Sequence, residues 1–291
     1  MMVSVAVMSA ATTRTGAQPT PTPTAANFGD PVAVTIRGYG GDAMEPFVSP
    51  DGKYLFFNNR NDSGTNTNLF FARRVDDTTF AYGGAIRGAN SADLDAVPSM
   101  DVANNFYFVS TRSYSRTLST VYRGKFASGA VSGVAIVAGI SKATPGRVNF
   151  DADISADGNR LYFVDGRFTQ GGQLLAADLA IAQKTPTGFA RLANSAQLLA
   201  NVNTAALEYG AAISNDGRSL YFTRAAVPLG SKPPAIFVAT RSSTSNAFGA
   251  PVRLTALTGF VEAPALSPTG QSLYFHRLVG NKFVIFRASK L

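Results

Sequence analysis

One short pattern recurs five times along this chain, and this recurrence constrains the fold more than any other feature. Each copy has an acidic residue, a short apolar segment, a turn, and a second segment of apolar and aromatic residues. The serines that mark the five copies, at intervals of 50, 56, 59 and 53 residues, are Ser49, Ser99, Ser155, Ser214 and Ser267. A repeat of this length is typical of β-propellers and related repeat architectures, in which each copy forms one structural unit.

Each copy divides into four predicted strands, here called a to d from the first to the last. In the first copy these are residues 46–49, 54–58, 68–73 and 80–87, which are rich in aromatic and β-branched residues and are separated by Gly, Asn, Asp and Ser. Later c strands are predicted at 120–125, 173–177, 235–240 and 282–288, and later d strands at 131–138, 189–193 and 248–255. The sequence therefore predicts an all-β protein with four-stranded antiparallel blades.

The beginning of the chain supplies a strand that the last copy lacks. Residues 27–35 closely match residues 247–255, the predicted strand d of the fourth copy, whereas the chain stops at Leu291 directly after the fifth c strand. We therefore expect the N-terminal strand to complete the last blade and to close a five-bladed ring. Such closure removes exposed sheet edges, which are sites of aggregation.

The N-terminal segment differs from the rest of the chain. Residues 1–17 contain a short apolar run followed by small residues and resemble a secretion-signal remnant without its basic region. Residues 18–26 alternate Pro and Thr, which is typical of an extended linker. The run is too short to span a bilayer. We expect residues 27–291 to form a single propeller domain of an exported, periplasmic or secreted protein.

Composition excludes several kinds of site. The chain has no Cys, so disulfides and thiolate chemistry are excluded, and its single His rules out a multi-histidine metal site. A net charge of +8 is compatible with an acidic partner. The Lys and Arg residues are scattered along the chain, without the basic patch or motif of a nucleic-acid-binding protein. We expect no nucleic-acid partner and no transmembrane segment.

The turn between strands a and b has a local explanation. In Ser-x-Asp-Gly, the Asp side chain can accept hydrogen bonds from backbone amides two residues on, and Gly tolerates a positive φ. The second copy has Asn104 and Asn105 at this turn, and the fifth has Thr269 in place of Asp. These Asp residues are therefore interpreted as turn formers.

The same residues resemble the TolB-type, WD40-like propeller repeat, Pro-x-x-Ser-Pro-Asp-Gly-Lys. Residues 46–53 match it fully, residues 264–270 match it except at Thr269, and residues 154–159 and 213–218 match its core. The resemblance covers about residues 28–291 and implies a propeller fold. Relatives include cell-envelope binding proteins and propeller lids of serine peptidases, but the Gly-x-Ser-x-Gly motif of such a peptidase is absent here. TolB has six blades and a further N-terminal domain, so function does not transfer with the fold.

Acidic and arginine residues recur at opposite ends of each a–b hairpin. Each copy begins with an acid, namely Glu45, Asp95, Asp151, Glu208 and Glu262, and each b strand ends at or near an arginine, namely Arg60, Arg112, Arg167, Arg224 and Arg277. An antiparallel hairpin brings the two together on the face that carries the d–a and b–c loops. Repeated ion pairs that brace these loops are one interpretation, and a charged rim that binds a partner is the other.

Catalytic and metal sites are alternatives. Hydrolysis of a glycoside requires two carboxyl groups in different roles, for which the non-repeating acids Asp42, Asp153 and Asp165 are the candidates. Calcium in the channel is a further alternative, with Asp42, Glu45 and Asp95 as ligands, although a contiguous calcium loop is absent from the sequence. His276 is interpreted as a packed or surface residue, and the aromatic residues of the b strands as packing between blades.

The combined prediction is a non-catalytic, monomeric exported propeller without a cofactor. It binds a protein, a glycan or another cell-envelope partner on the d–a/b–c loop face, where residues 60–67, 112–119, 193–207 and 225–234 form the irregular connections. The alternatives are a carbohydrate-active hydrolase or lyase that uses channel carboxylates, and a structural module of a larger assembly.

Overall fold

A computed structural model describes residues 27–61 and 66–291, and these residues form an all-β protein with 51% strand and 3% helix. In chain order, the described elements are β1 (Val32–Ala33), β2 (Thr35–Arg37), β3 (Met44–Val48), β4 (Tyr54–Asn58), β5 (Leu69–Arg74), β6 (Thr79–Ala85), β7 (Asp95–Met100), β8 (Asn105–Ser110), α1 (Tyr114–Thr117), β9 (Val121–Ala127), β10 (Ala130–Ile136), β11 (Arg147–Ile154), β12 (Arg160–Phe168), β13 (Leu174–Thr185), β14 (Gly188–Arg191), α2 (Ser195–Leu198), β15 (Leu207–Ile213), β16 (Ser219–Ala225), β17 (Ala235–Thr240), β18 (Val252–Arg253), β19 (Val261–Leu266), β20 (Ser272–Val279) and β21 (Lys282–Ser289). The predicted N-terminal signal and linker lie outside the described residues. No helix of the described part is long and apolar enough to cross a membrane.

The strands form antiparallel groups in the predicted order a, b, c, d. We number these units one to five: β3–β6, β7–β10, β11–β14, β15–β18, and β19–β21 with β1. Units three and four share one eight-stranded sheet, but only a single parallel pair, Ala177 and Leu207, joins them. The strand predictions for unit one agree with the structure to within two residues at each end. In unit three, strand c extends beyond its predicted end at residue 177 to Thr185, because it continues to pair with β12 as far as Gln183, which lies opposite Arg160.

The N-terminal segment connects the first and the last unit. Strand β1 pairs antiparallel with β21, and Phe28 forms a further bridge with Lys290. Strand β2 then pairs in parallel with β6 of unit one, which the sequence did not predict. The N-terminal segment therefore contributes one strand to unit five and another to unit one.

The core consists of apolar layers between neighbouring units. The aromatic residues predicted to pack there are almost completely buried, with exposed fractions of 0–3%: Phe56, Tyr107, Tyr162, Tyr221 and Tyr274. One layer joins units one and five, since Val48, Leu55 and Phe57 pack with Tyr274 and Ile285. The units are thus held together mainly by burial of apolar side chains.

The a–b turns have the predicted hydrogen bonds. In unit one, Asp51 Oδ1 accepts the Ser49 hydroxyl at 2.6 Å and the Lys53 amide at 3.1 Å, while Gly52 has a φ of 71°. In unit two, however, Asp101 and not Ser99 occupies the position of Ser49. The Asp101 amide donates to the carbonyl of Asn105, and this shorter turn places Ser99 inside strand β7.

The contribution of the N-terminal segment can be measured with Phe28→Ala. Phe28 is 6% exposed and packs edge-on against Tyr221, so its truncation leaves a cavity and lowers the free energy of unfolding by about 3–5 kcal/mol. Val32→Ala is the matched control, because Val32 is 56% exposed and its truncation changes stability by no more than about 0.5 kcal/mol. Urea unfolding measures both, and equal effects would contradict a core role for this segment.

Candidate functional site

Each innermost strand of the described chain contains a β-bulge at the same place. The ladder between strands a and b shifts register there, and the bulged residue has a positive φ of 47–59°. The bulged residues are Glu45, Val97, Asp151, Gly210 and Ala263. A positive φ is uncommon for residues other than Gly, so its recurrence marks a structural requirement of the repeat.

The amide of the bulged residue is bonded by the preceding unit. The Val97 amide donates to Asn58 Oδ1 at 3.0 Å, and the Ala263 amide donates to Thr223 Oγ1 at 3.0 Å. The Glu45 amide donates to His276 Nδ1 at 3.2 Å. These three acceptors occupy the same position of strand b, so the single histidine is a buried bridge between units five and one.

A central cavity of about 130 Å³ begins at the bulges. Its lining runs along all five innermost strands from the bulged residues to the a–b turns, and includes Pro50, Val102, Ala156, Asn215 and Pro268 at its mouth. The wall is mainly apolar, with Glu45, Asp151 and Asp153 as its acidic groups. The cavity therefore opens towards the a–b turns, on the face opposite the one predicted to carry the site.

Glu45 and Asp151 line the inner end of this cavity, and together with Glu262, whose charge acts on both, they form an acidic cluster. Burial, together with the charges of Asp151 and Glu262, raises the pKa of Glu45 well above its usual range. Burial and the Glu262 charge raise the pKa of Asp151 to about 7, although its hydrogen bond from the Gly210 amide at 2.9 Å acts in the opposite direction. Burial and the neighbouring negative charges therefore favour the protonated forms of Glu45 and Asp151.

Glu262 is held by two side chains. Its Oε1 accepts a hydrogen bond from the Tyr209 hydroxyl, and its Oε2 lies 3.1 Å from His276 Nε2. Because His276 Nδ1 accepts the Glu45 amide, a neutral ring carries its proton on Nε2 and donates it to Glu262. Burial and the Glu262 charge raise the pKa of Tyr209 well above its usual range, so the phenol remains a donor.

Asp153, one of the predicted non-repeating acids, connects three units. Its Oδ1 accepts the Ser99 hydroxyl at 3.0 Å, and its Oδ2 accepts the Ile213 amide at 2.9 Å. Burial raises the pKa of Asp153 to about 7 in spite of these bonds. Ser99 in turn accepts the Ile154 amide. The carboxyl group is thus fully used in holding strands β7, β11 and β15 together.

The five repeated acids do not occupy equivalent positions. Counted from the bulge, Glu45 and Asp151 are the bulged residues themselves, Glu262 precedes the bulge by one residue, and Asp95 and Glu208 precede it by two. In the sequence the five acids share only the apolar residue in front of each, and this pattern does not reveal the bulge. Of the five repeated acids, only the bulged ones, Glu45 and Asp151, line the central cavity, and Glu262 is buried beside them.

The predicted acid–arginine pairs form in units two and four. Arg112 Nη2 lies 2.5 Å from Asp95 Oδ1, and Arg224 Nε lies 2.7 Å from Glu208 Oε1. Both carboxylates are completely buried, whereas the guanidinium groups are about one-fifth exposed. These pairs brace the d–a connections, because the same carboxylates accept hydrogen bonds from Ser91 and Thr204.

The other three predicted pairs are absent from the described residues. Arg60 pairs instead with Asp42 at 3.0 Å, and Arg167 is exposed while Asp151 faces the channel. Glu262 bonds Tyr209 and His276 instead of Arg277. The physical reason is the bulge offset, which turns these acids towards the axis and away from the end of strand b.

The remaining candidates have structural partners. Asp165 lies 2.7 Å from Arg191 and 2.9 Å from Lys142, and these hydrogen bonds and charges lower its pKa despite burial. The hydrogen bond and charge of Arg60 likewise lower the pKa of Asp42 despite its partial burial. For calcium, the described residues contain no group of three or more acidic or histidine side chains arranged to hold a metal ion.

A second cavity of about 390 Å³ lies between units one and five, also on the a–b face. Its charged groups are Asp51, Arg74, Asp77 and Arg287. Arg74 and Arg287 both pair with Asp77, so the charges at its wall are largely matched within the protein.

The raised pKa of Asp151 predicts a stability that depends on pH. Between its unfolded value of 3.8 and about 7, the folded carboxyl keeps a proton that the unfolded chain has released, so stability falls as pH rises through this window. Asp151→Asn keeps an acceptor for Gly210 and removes this contribution, which amounts to at most about 1.4 kcal/mol per pH unit. Urea-unfolding curves at pH 4.5 and 7.5 measure the difference.

Asp157→Asn is the control for this experiment. Hydrogen bonds from Ser155 and Asn159 outweigh partial burial and lower the pKa of Asp157, so its contribution is lost only as pH falls below the usual range of Asp. The assignment is contradicted if Asp157→Asn alters the change in unfolding free energy between pH 4.5 and 7.5 as much as Asp151→Asn does.

Comparison with known proteins gives similarity in fold alone. No protein-family model matches the sequence, and no curated protein sequence matches it. A solved structure described as a glycoside hydrolase aligns with a TM-score of 0.62 at 9% identity over 91% of this chain and 93% of that chain. A putative exo-beta-1,3-galactanase from Bifidobacterium bifidum s17 aligns with a TM-score of 0.56 at 10% identity over 91% of this chain and 96% of that chain.

TolB from Acinetobacter baumannii aligns with a TM-score of 0.46 at 15% identity over 86% of this chain, a similarity too low to carry an argument. This chain spans 55% of the length of that TolB. At the identities of these matches the comparisons concern architecture only. They support an all-β fold of the β-propeller type.

Proposed function

We propose that this protein is a five-bladed, ring-closed β-propeller that binds a partner without catalysing a reaction. Contacts among the innermost strands support the ring: β3 contacts β7 and β19, and β15 contacts β11 and β19. The pairing of β1 with β21 and of β2 with β6 supports closure by the N-terminal segment.

The proposal that the protein is not catalytic rests on the hydrogen bonds that the channel acids already make within the protein. Asp151 and Asp153 each accept a backbone amide of β15, and Glu262 is bonded by Tyr209 and His276. The cavity in front of them, about 130 Å³, is smaller than the roughly 300–1,000 Å³ of ordinary ligand pockets. These groups therefore hold strands together and have little room for a sugar ring.

Partner binding is assigned to the face of the d–a and b–c loops. The b–c connection of unit four carries Val227 and Leu229, each 51% exposed although apolar. The d–a connections of this face are fixed by the buried Asp95–Arg112 and Glu208–Arg224 pairs, which give the loops a rigid base. We propose a protein or a cell-envelope glycan as the partner, and a monomeric domain spanning residues 27–291.

Export to the periplasm or the exterior is part of the proposal and rests on the sequence. The apolar run and small residues within residues 1–17, followed by the Pro/Thr-rich segment 18–26, are its support.

Substitution of the exposed loop tests the binding face. Val227→Ser combined with Leu229→Ser should abolish capture of the native partner by the immobilised protein from an envelope extract, because binding loses apolar contact area while folding does not. Val75→Ser is the matched control, since Val75 is 53% exposed on the c–d turn of the opposite face. Equal capture by the double variant and the wild type would place the interface elsewhere.

Glycoside hydrolysis is the second candidate. It is favoured by the raised pKa values of Glu45 and Asp151, since such hydrolysis requires a carboxyl group that stays protonated near a second carboxyl group in a different role. We expect no turnover when the wild type and the Glu45→Gln, Asp151→Asn and Glu262→Gln variants are assayed on a panel of polysaccharides. Turnover by the wild type that one of these substitutions abolishes would overturn the binding-only proposal.

A further inference from the structure

Arg224 and Arg277 occupy equivalent places in strand b of units four and five, and Arg112, two residues beyond the end of strand b in unit two, stacks on the corresponding pair of rings. Arg112, Arg224 and Arg277 each place the guanidinium over two aromatic rings, one from strand b and one from strand c. The distances from Cζ to the nearer ring centroid are 5.2 Å to Tyr122, 4.8 Å to Phe237 and 4.5 Å to Phe286, respectively. In each unit the two rings are paired across the ladder. This stacking orients the planar group in the same way three times.

In units two and four an acid completes the arrangement. Arg112 pairs with Asp95 and donates to the carbonyl of Ala89, and Arg224 pairs with Glu208 and donates to the carbonyl of Val202. In each case the carbonyl lies six residues before the acid. The guanidinium is therefore satisfied by one carboxylate and one backbone oxygen.

Unit five lacks this acid. Val261 pairs with Arg277 in the ladder in the same way that Glu208 pairs with Arg224, so a valine stands where the carboxylate should be. Among the described residues Arg277 has no hydrogen-bond or ion-pair partner, and its Nε is buried without one. Arg287 also has an unpartnered Nε, but its Nη atoms bond Asp77 and Ser289. An uncompensated, partly buried charge is costly, which favours an external anion.

The surroundings of Arg277 indicate the type of molecule that supplies the anion. Arg277, Val279 and Lys282 lie on one side of the β20–β21 hairpin, since Val279 pairs with Lys282 and Arg277 with Val284. Val279 is 49% exposed, and Lys282 is exposed. The exposed large apolar side chains of the described residues are all valines and leucines, and the aromatic rings nearest Arg277, Phe275 and Phe286, are covered by its guanidinium. A surface with an exposed aliphatic side chain beside two positive charges is complementary to a protein segment that carries aliphatic and acidic side chains.

We propose that Arg277 is the anchor of a protein-binding site, where it takes the carboxylate of an Asp or Glu side chain of a partner protein in place of the acid that unit five lacks. A guanidinium held flat by aromatic rings can bind a carboxylate through two parallel hydrogen bonds. Val279 and Lys282 form the adjoining contacts. This inference rests on the proposed binding function and names the chemistry of its partner.

The test uses fluorescence anisotropy with a labelled ten-residue peptide of alternating Val and Glu, and with the same peptide carrying Gln for Glu. Arg277→Gln should weaken binding of the Glu peptide about tenfold or more. Val261→Glu should have a similar effect, since it supplies the missing acid from within the protein as Glu208 does for Arg224. Arg218→Gln is the control, because it removes one positive charge from an a–b turn on the opposite face.

The proposal is supported if the wild type prefers the Glu peptide and only the two substitutions in unit five remove this preference. It is overturned if the wild type does not discriminate between the peptides, if Arg277→Gln binds normally, or if Arg218→Gln loses as much affinity. Arg277-dependent binding of a galacturonate hexamer without binding of the Glu peptide also overturns it, in favour of an acidic glycan. If Val261→Glu fails to fold, Arg277→Gln alone decides. Failure here leaves capture through Val227 and Leu229 intact, so the two proposals can fail separately.

Discussion

The bulge in each innermost strand is the constraint on which the centre of this protein depends. A residue other than Gly in the left-handed region costs about 1–2 kcal/mol, yet Glu45, Val97, Asp151 and Ala263 all adopt it. The bulge turns one amide away from its own ladder, and for Glu45, Val97 and Ala263 a side chain of the preceding unit accepts it. Backbone strain within a unit is thereby offset by a hydrogen bond between units, and the bulged side chain is directed at the central cavity.

This geometry explains why similar repeats carry different chemistry. A bulged acid becomes a channel carboxyl with a raised pKa, as at Glu45 and Asp151. An acid two residues earlier becomes the buried partner of an arginine, as at Asp95 and Glu208. Arg277 is the reverse case, a stacked guanidinium whose acid is missing. Departures from repeat symmetry at the channel and at the rim of unit five thus change the partners of charged groups.

Much of the architecture could be predicted from the sequence because its signals are local. The a–b turns, the strands of unit one and the additional N-terminal strand follow from residue types that act over a few positions. The parallel pairing of β2 with β6 and the position of Asp101 at its turn could not be predicted, since both depend on which distant strand lies alongside. The acidic cluster was missed for the same reason: a one-residue offset changes the direction of a side chain, and a bulge leaves no clear mark on composition.

The sequence by itself determined an all-β repeat protein, the residues of its turns and its aromatic packing layers, because periodicity and turn chemistry are written along the chain. Only the tertiary structure decided which acids meet. It joined Glu45 to His276 across 231 positions and brought Asp151 and Glu262 within range of each other's charge. Contacts between units set the partners of the channel acids, whereas the spacing within a unit set those of Asp95 and Glu208. Burial and the charges nearby then decide the protonation of each carboxyl group.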